Sequence, residues 1–260
     1  MLCTKGSWEM SYSKWAIPSV RVNVDKEGIC PDETKTRVDP SINAAQFKYR
    51  QSRVQHWNEV ARKPQTWRGW GSFYHCRLTE IYQSLVSPGQ SVLELGCARG
   101  DLLAALKPAS GFGVDFSGEM IQAASQRHPH LRFLQADVHE LELREKFDVV
   151  ILSDLVNDLW AVQTVLQRVS QLAATPRSRI IINCYSRVWE PVLNTAQRLN
   201  LAKPTLYQNW LTVEDITSLL SLANCEVIRR SQEILLPLHT RVLRMLGEHF
   251  STAPNANEAF

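Results

Sequence analysis

The sequence has no cysteine pair at metal-binding spacing and no long apolar run. Its six cysteines, at positions 3, 30, 76, 97, 184 and 225, include no C-x-x-C pair and no nearby zinc-finger histidine, so we predict no metal site and reduced thiols. The most apolar stretch, Val149–Leu152, is far too short to span a bilayer, and residues 1–15 lack the apolar run of a signal peptide. The sequence predicts a soluble, cytoplasmic protein.

Charge of one sign is also scarce, because the 29 basic and 26 acidic residues leave a net charge of only +3. Nothing in this balance demands nucleic acid or an anionic membrane as a partner. With 260 residues, of which 44% are hydrophobic, the chain is long enough for one globular domain and an appended segment.

The first 43 residues contain scattered charges, three prolines and no sustained hydrophobic period. We predict a loose or extended arm there, or one ordered against the domain or a partner. A domain is predicted over residues 44–250, with two helices over 44–87 and a core over 88–236. A frayed tail over 251–260 is predicted to follow the domain. The apolar positions Phe47, Val54 and Trp57, and later Tyr74 and Leu78, follow helical spacing.

Short apolar runs then alternate with amphipathic segments. Strands are predicted near 91–95, 112–115, 131–135, 147–153, 178–184 and 225–229. Helices are predicted near 100–107, 118–127, 158–173 and 212–223, the last opening with a capping box at Thr212–Asp215. This alternation predicts an α/β fold with a parallel, doubly wound sheet and helices on both faces.

Charged and glycine residues follow the carboxyl ends of these strands, where ligands bind in doubly wound sheets. The first strand carries Glu94 and leads into the turn Gly96–Gly100, whose following helix start can receive a negatively polarised group. Asp115 ends the second strand, where a carboxylate can accept hydrogen bonds from a ribose diol. Asp137 ends the third, and Ser153 with Asp154 ends the fourth.

Simpler interpretations exist for these residues. Any single strand-end carboxylate is often only a helix cap, and Asp137 alone would be interpreted so. A dinucleotide fingerprint requires glycine at 96, 98 and 101, whereas the chain has Gly96, Ala98 and Asp101, which disfavours a nicotinamide oxidoreductase.

The motifs VLELGCARGDLL, GFGVDFSGEM, LQADVHEL and FDVVILSDLV together resemble those of class I S-adenosylmethionine-dependent methyltransferases, over residues 44–236. The resemblance implies a Rossmann-like, doubly wound, mostly parallel seven-stranded sheet with N-terminal lid helices, and S-adenosyl-L-methionine as cofactor. The stretch over residues 189–211, WEPVLNTAQRLNLAKPTLYQNWL, resembles bacterial methyltransferase domains often found beside glycosyltransferases.

The same resemblance implies roles for individual residues. Glu94, Gly96 and Gly100 would hold the methionine moiety, with Cys97 in their loop, and Asp115 the ribose. Phe116, Met120, Asp137 and the Val138 N–H would contact the adenine. Ser153 and Asp154 would lie near the sulfonium, and Tyr74 and Trp70 would contact the site from the lid.

Two positions depart from the family pattern. Ala98 stands where glycine is usual, and its β-carbon can crowd a ligand or strain a left-handed backbone. Arg99 replaces a small residue, and we expect it to point to solvent rather than to reach a carboxylate.

Methyl transfer is a displacement that positioning and exclusion of water can catalyse, and a hydroxyl acceptor would also benefit from a general base. The candidate bases by topology are His139, Asp154, Asp158 and Tyr185. His139 is alternatively only a polar residue, and Asn157 and Asp158 are alternatively helix caps. Asn157, Asn183, Trp70 and Trp189 are candidate substrate contacts, although core packing fits Trp189 equally well.

We therefore expect a methyltransferase acting on oxygen or nitrogen of a small-molecule acceptor, such as a sugar or lipid-linked metabolite. We expect no transmembrane segment, and a homodimer is compatible with the sequence. Arginines interleaved with aromatics over 50–77 suit lid helices better than a nucleic-acid surface. The stretch Ser153–Val156 lacks the tetrad of nucleic-acid amino methyltransferases. The alternative is a catalytically silent cofactor-binding module that regulates or scaffolds another enzyme.

Overall fold

A computed structural model describes residues 19–22, 40–63, 70–175, 177–184, 206 and 208–231, without the side chains of 19–22, 40–43 and 70–73. Its strands form one sheet in the order β4-β3-β2-β5-β6-β1-β7. The strands are β1 (Ser19–Val22), β2 (Ser91–Leu95), β3 (Ser110–Asp115), β4 (Arg132–Gln135), β5 (Val149–Ser153), β6 (Arg179–Asn183) and β7 (Cys225–Arg229).

Six α-helices accompany these strands in the described part of the chain. They are α1 (Pro40–Arg62), α2 (Trp70–Leu85), α3 (Asp101–Ala105), α4 (Gly118–Arg127), α5 (Val162–Ser170) and α6 (Val213–Leu222), and a 3₁₀ turn spans Val156–Asp158. Thr212 and Asp215 form the predicted capping box at the start of α6. None of these helices has both the length and the apolar character needed to cross a bilayer.

Five neighbouring strands, β4-β3-β2-β5-β6, run parallel. Their central members are continuous apolar runs because both faces of the sheet are covered. Leu93, Val150 and Ile182 pack into the core on one face, whereas Ile151 and Ile181 pack into the core on the other face, which contains residues of α2. The α/β fold with a mostly parallel, doubly wound sheet is confirmed.

The carboxyl ends of the parallel strands meet at one edge of the sheet, which we call the ligand edge. From β2 the chain moves outward through β3 to β4, and it then returns to place β5 and β6 on the other side of β2. This reversal of strand order opens a crevice beyond β2 and β5, where such folds bind ligands. The loops that follow β2, β3, β4 and β5 therefore converge on a single site.

The helix predicted over 158–173 is shorter than expected, since α5 begins only at Val162. Asn209 explains the delay, because its backbone N–H donates to the carbonyl of Asn157 at 2.8 Å and its side chain donates to the carbonyl of Leu159 at 2.5 Å. Those carbonyls are therefore diverted from helical hydrogen bonds. A residue about 50 positions away in sequence thus overrides the local helical pattern.

Strand β1 comes from the segment predicted to be an arm. It lies between β6 and β7 and pairs antiparallel with both. The pattern did not predict it, because four residues carry too little alternation and both partner strands lie more than 150 positions away. Helix α1 also begins earlier than residue 44, with Pro40 at its first position, where a missing N–H costs no hydrogen bond.

The cysteines do not all match the expectation of reduced thiols. Cys97, Cys184 and Cys225 are free and buried, but Cys76 in α2 is disulfide-bonded. The expectation was wrong for Cys76 because sequence spacing cannot reveal a pairing between distant cysteines.

Candidate functional site

The turn after β2 brings the backbone close to its neighbours. Gly96 and Gly100 both have φ of 72°, and a β-carbon on Gly96 would lie 3.0 Å from the Leu155 side chain. A β-carbon on Gly100 would lie 2.7 Å from the Phe133 ring. Glycine therefore suits both positions, because it avoids the strain of a left-handed backbone and the close contact that a β-carbon would make.

Ala98 occupies the same left-handed region, with φ of 47°. For a residue with a β-carbon this conformation costs about 1–2 kcal/mol. The turn nevertheless keeps its hydrogen bond to Asp115, because the Ala98 backbone N–H donates to that carboxylate at 2.9 Å. The departure from the family pattern is thus accommodated within the turn.

Asp115 ends β3 and is only 7% exposed. Its second carboxylate oxygen accepts the Ser117 backbone N–H at 2.8 Å, so one side chain ties the turn after β2 to the turn after β3. Burial raises the pKa of Asp115 to about 6, against the opposing effect of the two N–H donors.

Glu94 is buried in β2, 3% exposed, and accepts the Leu103 backbone N–H at 3.0 Å. Burial raises its pKa to about 8; the Leu103 N–H opposes this shift, and the negative charges of Asp115 and Asp101 add to it. A cation bound beside Glu94 would favour its ionised form.

The turn after β4 is held by ionic contacts. One carboxylate oxygen of Asp137 forms a salt bridge with Arg50, whose Nε lies 2.9 Å away, and the other oxygen lies 2.6 Å from the His139 ring Nδ1. Burial alone would raise the pKa of Asp137, but the His139 hydrogen bonds and the Arg50 charge outweigh burial and lower it.

His139 was a candidate general base. Its Nε2 lies 3.3 Å from the backbone N–H of Ala161, so both ring nitrogens have partners. The geometry favours the alternative interpretation, a polar residue that supports the turn.

A cleft opens between α1 and the turns after β3, β4 and β5. It is lined by Gln46, Tyr49, Arg50, Arg53, Phe116, Asp137, Val138, His139, Leu155, Asp158, Leu159 and Trp160. Three of the residues assigned to adenine, Phe116, Asp137 and Val138, therefore share one cleft. Met120 lies instead in the core at 2% exposure, with its N–H capped by the Ser117 hydroxyl.

A hydrogen-bonded network lies at the ends of β5 and β6. Both carboxylate oxygens of Asp154 lie within reach of the Tyr74 hydroxyl, at 2.6 and 2.8 Å, and the Asn183 amide donates to Asp154 at 2.5 Å. Asp154 adopts φ of 55°, and the neighbouring Ser153 pairs with Asn183 in the sheet. Three residues predicted for the site, Tyr74, Asp154 and Asn183, are thus brought together.

Tyr82 completes this network and was missed. Its hydroxyl donates to the Asn183 Oδ1 at 2.6 Å, and the whole side chain is buried. The only signal in the sequence was its position eight residues after Tyr74, which places both on one face of α2 but equally suits a core residue.

Asp158 and Asn157 hold structure rather than facing the network. Asp158 accepts the Trp57 ring N–H at 3.2 Å and pairs with Arg53 at 3.6 Å. Burial raises the pKa of Asp158, while Arg53, Trp57 and His56 oppose the shift. Asn157 is fully buried and donates to the carbonyl of Asn209 at 2.7 Å.

Three further predicted residues cannot be placed in the site. Tyr185 and Trp189 lie outside the described residues, as does the side chain of Trp70.

Cys97 is 4% exposed, and burial raises its pKa well above the usual range, which suits a packing residue rather than a nucleophile. Within the described ranges, no three histidine, cysteine or acidic side chains gather as a metal site.

Arg99 does not point to solvent, contrary to the expectation from sequence. Its Nη2 lies 2.9–3.0 Å from the carbonyls of Val60, Ala61 and Lys63, at the end of α1. Carbonyls in the last turn of a helix have no intrahelical donors, so a cation there is favourable. The turn after β2 therefore caps the helix that covers it.

Helix α1 contacts each of the four turns at the ligand edge. Arg99 binds its end, the Ser117 hydroxyl donates to Asn58 at 2.6 Å, and Arg50 pairs with Asp137. The contacts of Asp158 with Arg53 and Trp57 form the fourth attachment. Helix α1 consequently forms one wall of the cleft.

A family model described as "Methyltransferase domain" matches residues 86–232 of this chain. The chain belongs to this methyltransferase family. The match covers the glycine turn, the strand-end carboxylates and β5 through β7, and it confirms the predicted family. No match was found among curated proteins.

Two solved methyltransferases illustrate the similarity of fold. Magnesium protoporphyrin IX methyltransferase from Synechocystis PCC 6803, with bound SAH, is 18% identical with a TM-score of 0.55, covering 74% of this chain and 96% of that one. An N-methyltransferase from Bradyrhizobium japonicum WM9, in complex with S-adenosyl-L-homocysteine, is 16% identical with a TM-score of 0.50, covering 69% and 97%. The fold is that of class I methyltransferases.

Replacing Arg99 should loosen the end of α1. We expect Arg99→Ala to lower the free energy of unfolding by about 1–3 kcal/mol, because two half-buried carbonyls and one exposed carbonyl lose a charged donor. Hydrogen exchange of residues 54–63 should accelerate. Arg127→Ala is the matched control, since it removes only an exposed pair with Asp101, worth less than about 1 kcal/mol. Equal effects of the two variants would contradict the capping role.

The raised pKa of Glu94 should make the free energy of unfolding fall as the pH rises. Its pKa is about 8 in the folded chain and near 4.5 in the unfolded chain, so between these values the folded state holds the proton that the unfolded state has lost. Stability therefore declines across this window, by up to about 1.4 kcal/mol per pH unit for one proton. Urea denaturation of Glu94→Gln between pH 5.5 and 8.5 should show a smaller decline.

Glu145→Gln serves as the control for this profile. Arg132 lowers the pKa of Glu145, so that group is ionised in both states throughout the window and its variant should run parallel to the wild type. A profile of Glu94→Gln that also runs parallel would contradict the raised pKa of Glu94.

Proposed function

We propose that this chain is an S-adenosylmethionine-dependent methyltransferase that transfers a methyl group to oxygen or nitrogen of a small-molecule acceptor. The observation that carries the proposal is the convergence of the glycine turn, the buried Asp115 carboxylate and the cleft lined by Phe116, Asp137 and Val138. Together they match the parts of one nucleoside-bearing donor.

The residues at the ligand edge fit this cofactor. A carboxylate has about four acceptor positions, so Asp115 can accept ribose hydroxyls besides the two backbone N–H groups it already holds. Asp137 can likewise accept an adenine amino group beside Arg50. Glu94 and the glycine turn would hold the methionine part, where a cationic amino group would draw Glu94 into its ionised form.

When bound, the cofactor would supply an electrophilic methyl group on a positively charged sulfur. The protein would then position the acceptor and exclude water, which is sufficient for an in-line displacement. Asp154, held by Tyr74 and Asn183, is the carboxylate we assign to the reacting end of the site, and Asp154 would accept a proton from a hydroxyl acceptor. Helices α1 and α2 would act as lid helices.

The charges of α1 support a small acceptor rather than nucleic acid. Arg50, Arg53 and Arg62 pair with Asp137, Asp158 and Glu119, respectively. Basic side chains engaged in this way do not form the free positive surface that binds phosphates. A sugar or lipid-linked acceptor is proposed from the sequence resemblance of residues 189–211, and a homodimer is compatible with it.

Binding of S-adenosylmethionine should depend on Asp115. We expect Asp115→Ala to weaken binding measured by calorimetry by more than about tenfold, because charged acceptors of ribose hydroxyls are lost. Asp148→Ala is the matched control: its carboxylate also accepts a backbone N–H, from Ser91 at 2.9 Å, but at the opposite end of the strands. Unchanged binding in Asp115→Ala would refute the assigned site.

Turnover separates an enzyme from a catalytically silent module, which the strained Ala98 keeps as the second candidate. We expect incubation with methyl-labelled S-adenosylmethionine and a metabolite extract to yield a product heavier by one labelled methyl group, detected by mass spectrometry. Asp154→Asn should reduce its formation. Cofactor binding without any methylated product across extracts would favour the silent module.

A further inference from the structure

We infer that Tyr82 is a positioning residue that acts through Asn183 to aim the carboxylate of Asp154 at the reacting end of the site. The inference rests on the proposed function, because it concerns a residue of the same site. It stands on three consecutive hydrogen bonds, on the burial of Tyr82 and Asn183, and on the geometry of α2.

The side-chain amide of Asn183 is held in one orientation by a partner on each side. Asn183 is 5% exposed, and its Oδ1 accepts the Tyr82 hydroxyl at 2.6 Å. With the oxygen of the amide facing Tyr82, its nitrogen must face the other way, where it donates to Asp154 at 2.5 Å. A flipped amide would set two acceptors against each other at Asp154 and leave an N–H facing the Tyr82 hydroxyl.

The Tyr82 hydroxyl is protonated and can donate a hydrogen bond. The ring is fully buried, and burial together with the charge of Asp154 raises its pKa well above the usual range. Tyr82 therefore keeps its proton at physiological pH and remains a donor. Its donation to Oδ1 therefore adds to the effect of the Asp154 carboxylate, which can only accept, and the two together stabilise the amide orientation in which the Asn183 nitrogen faces Asp154.

Helix α2 holds Asp154 through two tyrosines. Tyr74 and Tyr82 lie eight residues apart on one face of the helix, with Leu78 between them in the core. Tyr74 donates to Asp154 directly, whereas Tyr82 acts through Asn183. The carboxylate is thus fixed by one helix and by the end of β6.

A ligand pair that differs at the reacting end by one methyl group and its positive charge tests the inference. S-adenosylmethionine carries a positive sulfonium, and S-adenosylhomocysteine has a neutral sulfur. We expect Tyr82→Phe to weaken calorimetric binding of S-adenosylmethionine about three- to tenfold, and that of S-adenosylhomocysteine less than about twofold. In Asn183→Ala, the additional Tyr82→Phe change should have little further effect.

The control variant is Ser178→Ala. Ser178 is 3% exposed, and its hydroxyl accepts the backbone N–H groups of Ala174 and Thr175 before β6, at the end of the strand opposite Asn183. Its loss should lower the melting temperature without changing the ratio of the two affinities. Equal weakening of both ligands in Tyr82→Phe, no weakening, or additivity with Asn183→Ala would overturn the inference.

Side-chain amide NMR of the ligand-free protein decides the positioning role even if neither ligand binds, an outcome that would refute the proposed function instead. We expect the Asn183 amide signals to shift in Tyr82→Phe and their hydrogens to exchange at least about tenfold faster, because the oriented buried bonds are lost. In Ser178→Ala they should be unchanged. Unchanged Asn183 signals in Tyr82→Phe would overturn the inference.

Discussion

The two hydrogen bonds accepted by the buried Asp115 carboxylate hold the ligand edge together. One joins Asp115 to the N–H of Ala98 in the turn after β2, and the other to the N–H of Ser117 in the turn after β3. Ser117 in turn caps α4 and donates to Asn58 of α1. Replacement of this one carboxylate would therefore disturb the turns after β2 and β3 and, through Ser117, the helices α4 and α1.

Helix α1 couples the turns to one another because it contacts all four of them. Arg99, which binds the end of α1, lies in the same turn as Gly96 and Gly100. A movement of α1 is therefore linked to a movement of this turn. Asp137, which pairs with Arg50 of α1, is also assigned to contact the adenine. We therefore expect a ligand in the cleft to alter the position of α1, and α1 to alter ligand affinity, as linkage requires.

The sequence predicted those features that arise from local pattern. Apolar runs such as Val149–Leu152 identify buried strands. Once the strands are identified, Asp115 and Asp137 can be predicted as site residues, because the carboxyl ends of parallel strands meet at one edge of the sheet. The capping box of α6 was also predictable, since it involves residues three positions apart.

Features that depend on distant partners were not predictable in this way. Nothing near Arg99 in the sequence indicates that it caps α1, and Asn209 shortens α5 from about 50 positions away. Tyr82 has the spacing of a core residue, and only the contact with Asn183, 101 positions later, gives its hydroxyl a role. Tertiary contacts decided each of these cases.

The central claim is that four turns at the ligand edge form one nucleoside site beneath α1. A crystal structure of the chain with S-adenosylhomocysteine tests it most directly. The account predicts the adenine in the cleft beside Phe116 and Val138, with the ribose hydroxyls within hydrogen-bonding distance of Asp115. A ligand bound elsewhere, or a ribose without contact to Asp115, would contradict it.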